Sequence, residues 1–227
     1  MHPNPIFHDA DAARNLDYAR AIGFGTLVVN GSEAPLLSHV PVVLSEEGGT
    51  VDLHLVRSNP TARALKAPLA ARIAVTGPDA YVSPDWYEIP DQVPTWNYVA
   101  VHLTGTLELL PQANMHDMLD RQSAFYEVRL LPKDPWITAK MVSDVLEKMM
   151  RQIVPCRMIV TGVDGTWKLS QNKPDTVRLS AAEQMEAVGF GIEPRVIGGF
   201  DAGRRPAGLM AIAQSRSNVD SLRNSYA

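Results

Sequence analysis

Short runs in which apolar and polar residues alternate dominate the first half of the chain. Five runs are separated by Gly, Ser, Asn or Pro: FGTLVVN (24–30), PLLSHVPVVL (35–44), TVDLHLV (50–56), AARIAVTG (70–77) and NYVAVHLTGTLELL (97–110). Alternation with a period of two predicts β-strands, and the short spacing favours antiparallel pairing over long parallel crossovers. We therefore expect a mainly β fold, closed or half closed into a barrel, because closure leaves few strand edges exposed.

Helical patterns flank and interrupt these runs. The predicted helices are 9–22, 112–128, 139–153 and 176–189, together with a capped helix of one or two turns in SNPTARALKA (58–67). In the third of them, one broad apolar face contains Met141, Val142, Val145, Leu146, Met149 and Ile153. The fold class is therefore α+β, with helices between the strands and a C-terminal helix and tail.

The second half of the chain returns once to a β pattern. The segment CRMIVTGVDGTWKLSQN (156–172) contains Asp164-Gly165, a dipeptide typical of hairpin turns. After residue 190 the periodic pattern is lost, and Gly, Ser, Arg and Asn are frequent. We expect 1–190 to form one domain and 191–227 to form a tail that is partly ordered or docked.

Composition narrows the classes of partner and location. A formal net charge of -4 and a pI near 5.8 argue against nucleic-acid binding over a whole face of the protein. The single cysteine, Cys156, excludes an intramolecular disulfide and a cysteine metal cluster. There is no signal-peptide pattern and no apolar run long enough for a membrane span, so we expect a cytoplasmic protein.

The turn that follows TVDLHLV is a candidate anion site. Ser58 or Asn59 can cap the short helix, Pro60 suits its first turn, and Arg57 and Arg63 flank it. Backbone N–H groups and guanidinium groups together suit a phosphate. A capped helix beside an arginine also serves purely structural roles, so the pattern by itself leaves both interpretations open.

Two tryptophan segments concentrate polar side chains. VPTWNY (93–98) ends the aromatic, proline-rich segment 77–98, which we expect to be a semi-rigid loop that packs on the core or walls a pocket. In TWKLSQN (166–172), a strand would place Lys168, Ser170 and Asn172 on one face. Such a row of donors suits a polar heterocycle or a phosphoryl group, although a solvated strand end has the same composition.

Three histidines lie in predicted strands without the spacing of metal ligands. His39, His54 and His102 have no H-x-H or H-x-x-x-H partner, so we predict no metal site. A strand histidine serves more often as a hydrogen-bonded wall residue, and a neutral imidazole edge also suits a planar ligand. The chain carries no P-loop, G-x-S-x-G or H-E-x-x-H motif, which leaves a bound cofactor as the best source of chemistry.

Three motifs in order resemble one known family. GPDAYVSPDWY, VPTWNYVAVHLTGTLELL and GTWKLSQNK are similar to signature segments of the PaiB-like FMN-binding negative transcriptional regulators. HPNPIFHDAD, SHVPVVL and HLVRSNP extend the resemblance over roughly residues 3–188. It implies an FMN-binding split β-barrel of the flavin-reductase and pyridoxamine-phosphate-oxidase type, usually a homodimer with FMN at the subunit interface.

The resemblance also implies a set of cofactor-binding residues. The flavin ring edge would contact Ser38, His39, Val40, Pro41, His54, Leu55 and Val56. The phosphate would be held by Arg57, Ser58 and Asn59. The site would be closed, from opposite subunits, by Thr95, Trp96, Asn97, Lys168, Ser170, Gln171 and Asn172.

Two functions are compatible with this resemblance. One is a flavin-dependent binder or regulator; the other is a flavin-dependent oxidoreductase, reductase-like, oxidase-like or haem-degrading, with a nicotinamide electron donor. No residue is an evident general acid or base, so the sequence leaves catalysis open. Direct DNA binding is not expected, because no helix-turn-helix is recognisable and the basic residues concentrate in the predicted tail, at Arg204, Arg205, Arg216 and Arg223.

Overall fold

The computed structural model describes residues 2–203 of the 227-residue chain. The strands are β1 Phe24–Val29, β2 Leu36–Pro41, β3 Val43–Leu44, β4 Thr50–Val56, β5 Leu69–Val82, β6 Thr95–Leu109 and β7 Ile153–Lys168. The α-helices are α1 Ala12–Ile22, α2 Pro60–Ala64, α3 Met115–Glu127, α4 Ser143–Met150, α5 Asp175–Val188 and α6 Pro194–Asp201. Short 3₁₀ helices include Pro84–Tyr87 and Gln112–Asn114.

All seven strands belong to one sheet, in the order β2-β1-β5-β6-β7-β4-β3. β1 pairs antiparallel with β2 and β5, and β4 pairs antiparallel with β3 and β7. Along β6, buried and more exposed residues alternate almost without interruption, as expected when one face of a strand covers a core. The predicted mainly β, antiparallel fold with flanking helices is confirmed.

The described residues form two compact units. Unit 1 comprises 2–18, 75–102 and 163–203, and unit 2 comprises 19–74 and 103–162. Fully or almost fully buried side chains include Val82, Val99, Trp167, Met185 and Ile197 in unit 1 and Leu27, Leu53, Ile73, Leu103, Met118 and Met158 in unit 2. The long strands β5, β6 and β7 contribute residues to both units. Within 2–203, no helix combines the length and apolar composition that crossing a bilayer requires.

The predicted hairpin turn at Asp164-Gly165 is wrong, because β7 continues through it to Lys168. Gly165 is instead a site of close approach: a Cβ atom there would lie 2.0 Å from Asn15 Oδ1. That oxygen accepts a hydrogen bond of 2.8 Å from Trp167 Nε1. A strand glycine can thus permit close packing of a neighbouring side chain as well as signal a turn.

Gly165→Ala is expected to lower the free energy of unfolding by about 1–3 kcal/mol, the usual cost of adding an atom to a well-packed site. The new methyl group would displace Asn15 and disturb its bond to Trp167. Gly162→Ala on the same strand is the matched control, since the nearest atom to its added Cβ, in Thr104, would be 3.9 Å away. Urea unfolding of both variants makes the comparison, and equal losses would contradict the packing argument.

The segment predicted as a tail contains a helix in its first part. After α5, the backbone carbonyls of Phe190 and Ile192 accept hydrogen bonds from Tyr81 and Asp79 of β5. Helix α6 then follows, with Ile197 on its buried side. Residues 204–227, including the basic residues at 204, 205, 216 and 223, lie outside the described part of the chain.

Candidate functional site

In unit 2, the turn predicted to hold a phosphate is a hydrogen-bonded corner of β2, β4 and α2. Asn59 caps α2, and its Oδ1 accepts a hydrogen bond of 2.8 Å from the backbone N–H of Thr61. The Asn59 Nδ2 donates to Ser38 Oγ at 3.1 Å, and the Ser38 and Thr61 hydroxyls are 3.2 Å apart. Ser38 and Thr61 are buried. This corner therefore fixes the backbone that leads from β4 into α2.

Arg57, two residues before the cap Asn59, has a fixed orientation. Its Nε donates to the carbonyl of Arg151 at 2.9 Å, and its Nη2 donates to Gln112 Oε1 at 2.7 Å and to the carbonyl of Ile153 at 3.3 Å. Arg57 and the neighbouring Ser58 are exposed. These three bonds hold the Arg57 guanidinium at the protein surface beside Gln112 and the backbone of residues 151–153.

The residues predicted to face the flavin ring lie on β2 and β4 of the same unit. Burial lowers the pKa of His54, and a hydrogen bond with Gln122 opposes that shift only in part. The imidazole is therefore neutral near pH 7, and its buried Nδ1 has no hydrogen-bond partner among the described residues. His39 is exposed and shares a hydrogen bond of 3.0 Å with Thr26. Within 2–203, no group of His, Cys, Asp or Glu side chains could hold a metal ion.

The remaining ring residues alternate between buried and more exposed positions along these strands. Val40 and Leu55 are buried, whereas Val56 is exposed. The carbonyl of Pro41 accepts a hydrogen bond from Gln122 Nε2 at 3.3 Å, and Gln122 thus lies beside both ring strands.

In unit 1, the two tryptophan segments contact each other. Lys168 Nζ, at the end of β7, donates to Thr95 Oγ1 and to the carbonyl of Trp96, both at the start of β6. Burial, with Lys173 nearby, lowers the pKa of Lys168. The Trp96 ring is exposed and packs against the rings of Tyr81 and Phe190.

Behind this contact lies a buried polar network. Asn97 Nδ2 donates to Ser170 Oγ at 2.8 Å and to Asp201 Oδ2 at 3.0 Å. The hydroxyls of Tyr87 and Ser170 are 2.9 Å apart. Ser170 has a φ of 57°, in the left-handed region, so the strand has already ended. The predicted strand face that joins Lys168, Ser170 and Asn172 is therefore wrong.

Gln171 closes the same turn through its side chain. Its Oε1 accepts from the Leu169 N–H at 2.7 Å, and its Nε2 donates to the carbonyls of Trp167 and Ile6. The next residue, Asn172, is exposed. The residues predicted for the ring and phosphate thus all belong to unit 2, and those predicted to close the site all belong to unit 1.

Several residues of the unit 1 network were not found by sequence reasoning. They are Asn15, Tyr87, Arg178 and Asp201. Asp201 is fully buried in α6. Burial raises the pKa of its carboxyl group to about 8, although Arg178 and the hydrogen bonds from Ser170 and Asn97 act in the opposite direction. Asp201 is thus mainly protonated at neutral pH.

A family model described as "Putative FMN-binding domain" matches residues 1–162. The chain belongs to this putative FMN-binding domain family. This chain is also similar to the Bacillus subtilis (strain 168) protein "Protease synthase and sporulation protein PAI 2". The two are 28% identical over 188 residues, and the aligned region covers 82% of this chain and 89% of the relative. The resemblance to PaiB-like proteins inferred from the motifs is confirmed.

Solved structures share the fold of this chain. The FAD and heme binding protein from Mycobacterium smegmatis matches with a TM-score of 0.54 at 17% identity, over 82% of each chain. A conserved hypothetical protein from Mycobacterium tuberculosis matches with a TM-score of 0.51 at 16% identity, over 74% of this chain and 91% of its own. At such identities the likeness concerns the fold alone, and the predicted split-barrel fold class is confirmed.

Proposed function

We propose that the protein binds FMN and acts as a flavin-dependent binder or regulator. The observation that carries the proposal is the corner formed by Ser38, Asn59 and Thr61, with the oriented Arg57 two residues before Asn59 in the chain. This corner lies within the residues that match the FMN-binding family. The Bacillus subtilis relative is named for protease synthase and sporulation, which is in keeping with a regulatory role.

The donor set suits a flavin phosphate. Arg57 supplies charge-assisted hydrogen bonds, and the exposed Ser58 adds a hydroxyl donor next to it. Helix α2 has only five residues, so the arginine rather than the helix dipole provides most of the attraction. The capped turn at Asn59 holds these donors in one geometry before the cofactor arrives, which lowers the entropic cost of binding.

The neighbouring strands suit the flavin ring. The ring contacts would come from Ser38, His39, Val40, Pro41, His54, Leu55 and Val56. The neutral imidazole of His54, with its unpartnered Nδ1, is the polar group best suited to the ring edge. Bound FMN would supply redox chemistry, whereas these residues bind and orient it.

A second copy of the chain would contribute the residues that close the site. Thr95, Trp96 and Lys168 provide a hydroxyl, an exposed aromatic face and a positive charge in one contact cluster. Asn97, Ser170 and Gln171 direct their hydrogen bonds to one another, to Asp201 or to the backbone, so they hold this cluster in shape. The exposed Asn172 is available for a direct contact.

The FMN site is proposed to be shared by two copies of the chain. Helix α4 supports this, because Val145 and Met149 are exposed and four residues apart, which places them on one side of the helix, and the exposed Val142 directly precedes it. An exposed apolar face of this kind is typical of an interaction surface. Sedimentation equilibrium at micromolar concentration should give the mass of two chains, and the mass of a single chain would contradict the proposal.

Adding the protein to free FMN should quench the flavin fluorescence. Arg57→Ala is expected to weaken FMN binding by about 1.5–3 kcal/mol, because it removes charge-assisted hydrogen bonds. Lys66→Ala is the matched control: it removes an exposed positive charge just beyond α2 and should leave the affinity almost unchanged. Flavin fluorescence that does not change at high protein concentration would refute FMN binding, and equal losses in both variants would refute the role of Arg57.

Two further measurements separate the function classes. Anaerobic addition of NADH or NADPH to the FMN complex should leave the flavin oxidised if the protein is a binder or regulator. Rapid bleaching would assign the oxidoreductase function instead.

A gel-shift series at rising salt should show no sequence-preferring complex near physiological salt, because regulation is proposed to act through a ligand or protein partner.

A further inference from the structure

Unit 1 contains a cavity of about 240 Å³. Its walls include Arg14 of α1, Trp167 of β7, Arg178 of α5 and both Phe200 and Asp201 of α6. The volume is below the usual range for drug-sized ligands, so the cavity suits a small molecule. Arginine, carboxyl and aromatic groups occur together in the walls, which allows one end of a ligand to be polar and the other apolar.

The most informative group in the cavity wall is the Asp201 carboxyl. Its Oδ2 accepts a hydrogen bond from Asn97 at 3.0 Å. Its Oδ1 is buried, lacks a hydrogen-bond partner among residues 2–203 and has Arg178 Nη1 at 3.8 Å, beyond hydrogen-bond distance. Buried polar atoms are nearly always satisfied, so an unsatisfied one beside a cavity points to a ligand that completes its bonding.

The charges around the cavity favour an anion. Arg178 is only 18% exposed and pairs through Nη2 with the exposed Asp175 at 3.0 Å. The Arg14 guanidinium lies 4.1 Å from the centroid of the Trp167 ring. The cavity walls thus contain Arg14, Arg178 and the exposed carboxylate of Asp9, together with Asp201, which is mainly protonated at neutral pH. An ammonium group placed at the free Asp201 oxygen would meet a mainly protonated acid and the nearby Arg178 guanidinium, which disfavours it.

We propose that this cavity binds a small organic carboxylate between Arg178 and the Asp201 carboxyl, with the apolar part of the ligand against Phe200 and Leu169. A carboxylic acid and a carboxylate share one proton in a short, strong hydrogen bond, and the guanidinium adds charge-assisted donors. Leu169 and Phe200 provide the apolar wall. Such a site would make the protein responsive to a small carboxylate.

The site goes beyond FMN binding and does not depend on it. The residues proposed for the flavin ring and phosphate belong to unit 2, whereas the cavity walls belong to unit 1. Gln171 also lines the cavity, but its amide is bonded to Leu169, Trp167 and Ile6. Failure of one proposal is therefore distinguishable from failure of the other by separate titrations with FMN and with a carboxylate.

Calorimetric titration with benzoate tests the proposal at pH 7. Benzoate should bind, acetate should bind more weakly because it lacks an apolar part, and benzamide should bind more weakly because it lacks the charge. Arg178→Gln should weaken benzoate binding about tenfold or more, the loss expected for one charge-assisted contact. Arg195→Gln, which changes the charge equally at an exposed position of α6, should have little effect.

The pH dependence of benzoate binding identifies Asp201. The groups that face it are Arg178, Tyr87, Ser170 and Asn97, with Arg14 and Asp9 across the cavity. Affinity should fall about tenfold between pH 7 and pH 9 as Asp201 ionises and repels the anion. Asp201→Asn should remove this dependence, because the amide stays neutral.

Three results would overturn the carboxylate site. They are tighter binding of benzylamine than of benzoate, an absence of benzoate binding at millimolar concentration, and unchanged benzoate binding in both Arg178→Gln and Asp201→Asn. Circular dichroism serves as the control for the fold of each variant. Because the native protein alone gives the ligand comparison and the pH profile, the test stands even if a variant unfolds.

Discussion

Asp201→Asn is expected to remove much of the pH dependence of the unfolding free energy between about pH 4 and pH 8. Burial raises the pKa of this carboxyl from 3.8 in the unfolded chain to about 8 in the folded protein. Between these values the folded protein holds a proton that the unfolded chain has released, so stability falls as pH rises. The slope is about 1.4 kcal/mol per pH unit, and the loss is complete above the folded pKa. An amide in this position does not titrate.

Urea unfolding at several pH values from 5 to 8 measures this difference. Other titrating groups contribute equally to both proteins, so the native-minus-variant difference isolates Asp201. Asp175→Asn is the matched control, because it neutralises an exposed carboxylate that contacts the same Arg178. Parallel pH profiles of the native protein and Asp201→Asn would show that Asp201 is ionised in the folded state throughout.

A buried carboxyl group that destabilises the folded state above neutral pH calls for a compensating role. An apolar residue in its place would avoid the desolvation cost. One carboxyl oxygen of Asp201 accepts a hydrogen bond from Asn97. The other oxygen has no hydrogen-bond partner among residues 2–203, and the side chain lines a cavity beside Arg178. Ligand binding is a physical reason for retaining such a group, because the unsatisfied oxygen gains its partner only in the complex.

Strands such as β1 and β6 were predictable because buried residues alternate with more exposed ones along them, which gives the sequence its period of two. Predictions failed where a glycine or a proline was taken to indicate a turn or a loop from its neighbours in sequence alone. Gly165 permits the approach of Asn15, and no turn forms there. Pro78 lies inside β5, which continues to Val82 through the first part of the segment predicted as a loop. Such positions depend on neighbours distant in sequence, which local patterns do not contain.

The burial of helical residues also depends on neighbours that are distant in sequence. The sequence of α1 places Ala13, Leu16, Ala19 and Ile22 near helical spacing, but of these only Ala19 is buried, together with Asn15 and Tyr18. A buried asparagine gives no hydrophobic signal, because its burial depends on the bond from Trp167. Around α4 the apolar face was predicted from periodicity, yet none of its residues is buried: Val142, Val145 and Met149 are exposed, and Met141, Leu146 and Ile153 are half-buried. Periodicity predicts which residues share a face and leaves open what covers them.

The candidate site was predictable at the level of segments. Family motifs identified the turn at Arg57 and the two tryptophan segments, and Lys168 does contact Thr95 and Trp96. The left-handed conformation of Ser170 and the burial of Asp201 were not predictable from pattern. Asp201 falls in a segment without periodicity, so only the packing of α6 reveals its environment.

Asp52→Ala is expected to lower the free energy of unfolding by about 3 kcal/mol at pH 7, near the lower end for breaking a buried ion pair. Asp52, 5% exposed, accepts two hydrogen bonds from Arg157 at 2.6 and 2.9 Å and contacts Arg121 at 2.8 Å. Removing the carboxylate leaves two guanidinium groups without their shared partner. Each arginine is 35% exposed, and the access of water keeps the cost from being larger.

The stability lost in Asp52→Ala should become smaller as the pH falls. Burial by itself would raise the pKa of Asp52, but the hydrogen bonds from Arg157 and Arg121 outweigh it and lower the pKa below its ordinary value. The contribution of Asp52 is therefore present at neutral pH and lost as pH falls through the lowered pKa, so the native and variant proteins should converge in acid.

Asp117→Ala provides the control for Asp52→Ala. Asp117 contacts the same Arg121 at 2.8 Å, one helical turn away, but its side chain is 70% exposed. Water already solvates such a pair, and its removal should cost less than about 0.5 kcal/mol. Denaturant unfolding at pH 7 and at pH 3 compares the two variants. Equal losses, or a loss at Asp52 that persists unchanged in acid, would show that packing rather than charge accounts for the effect.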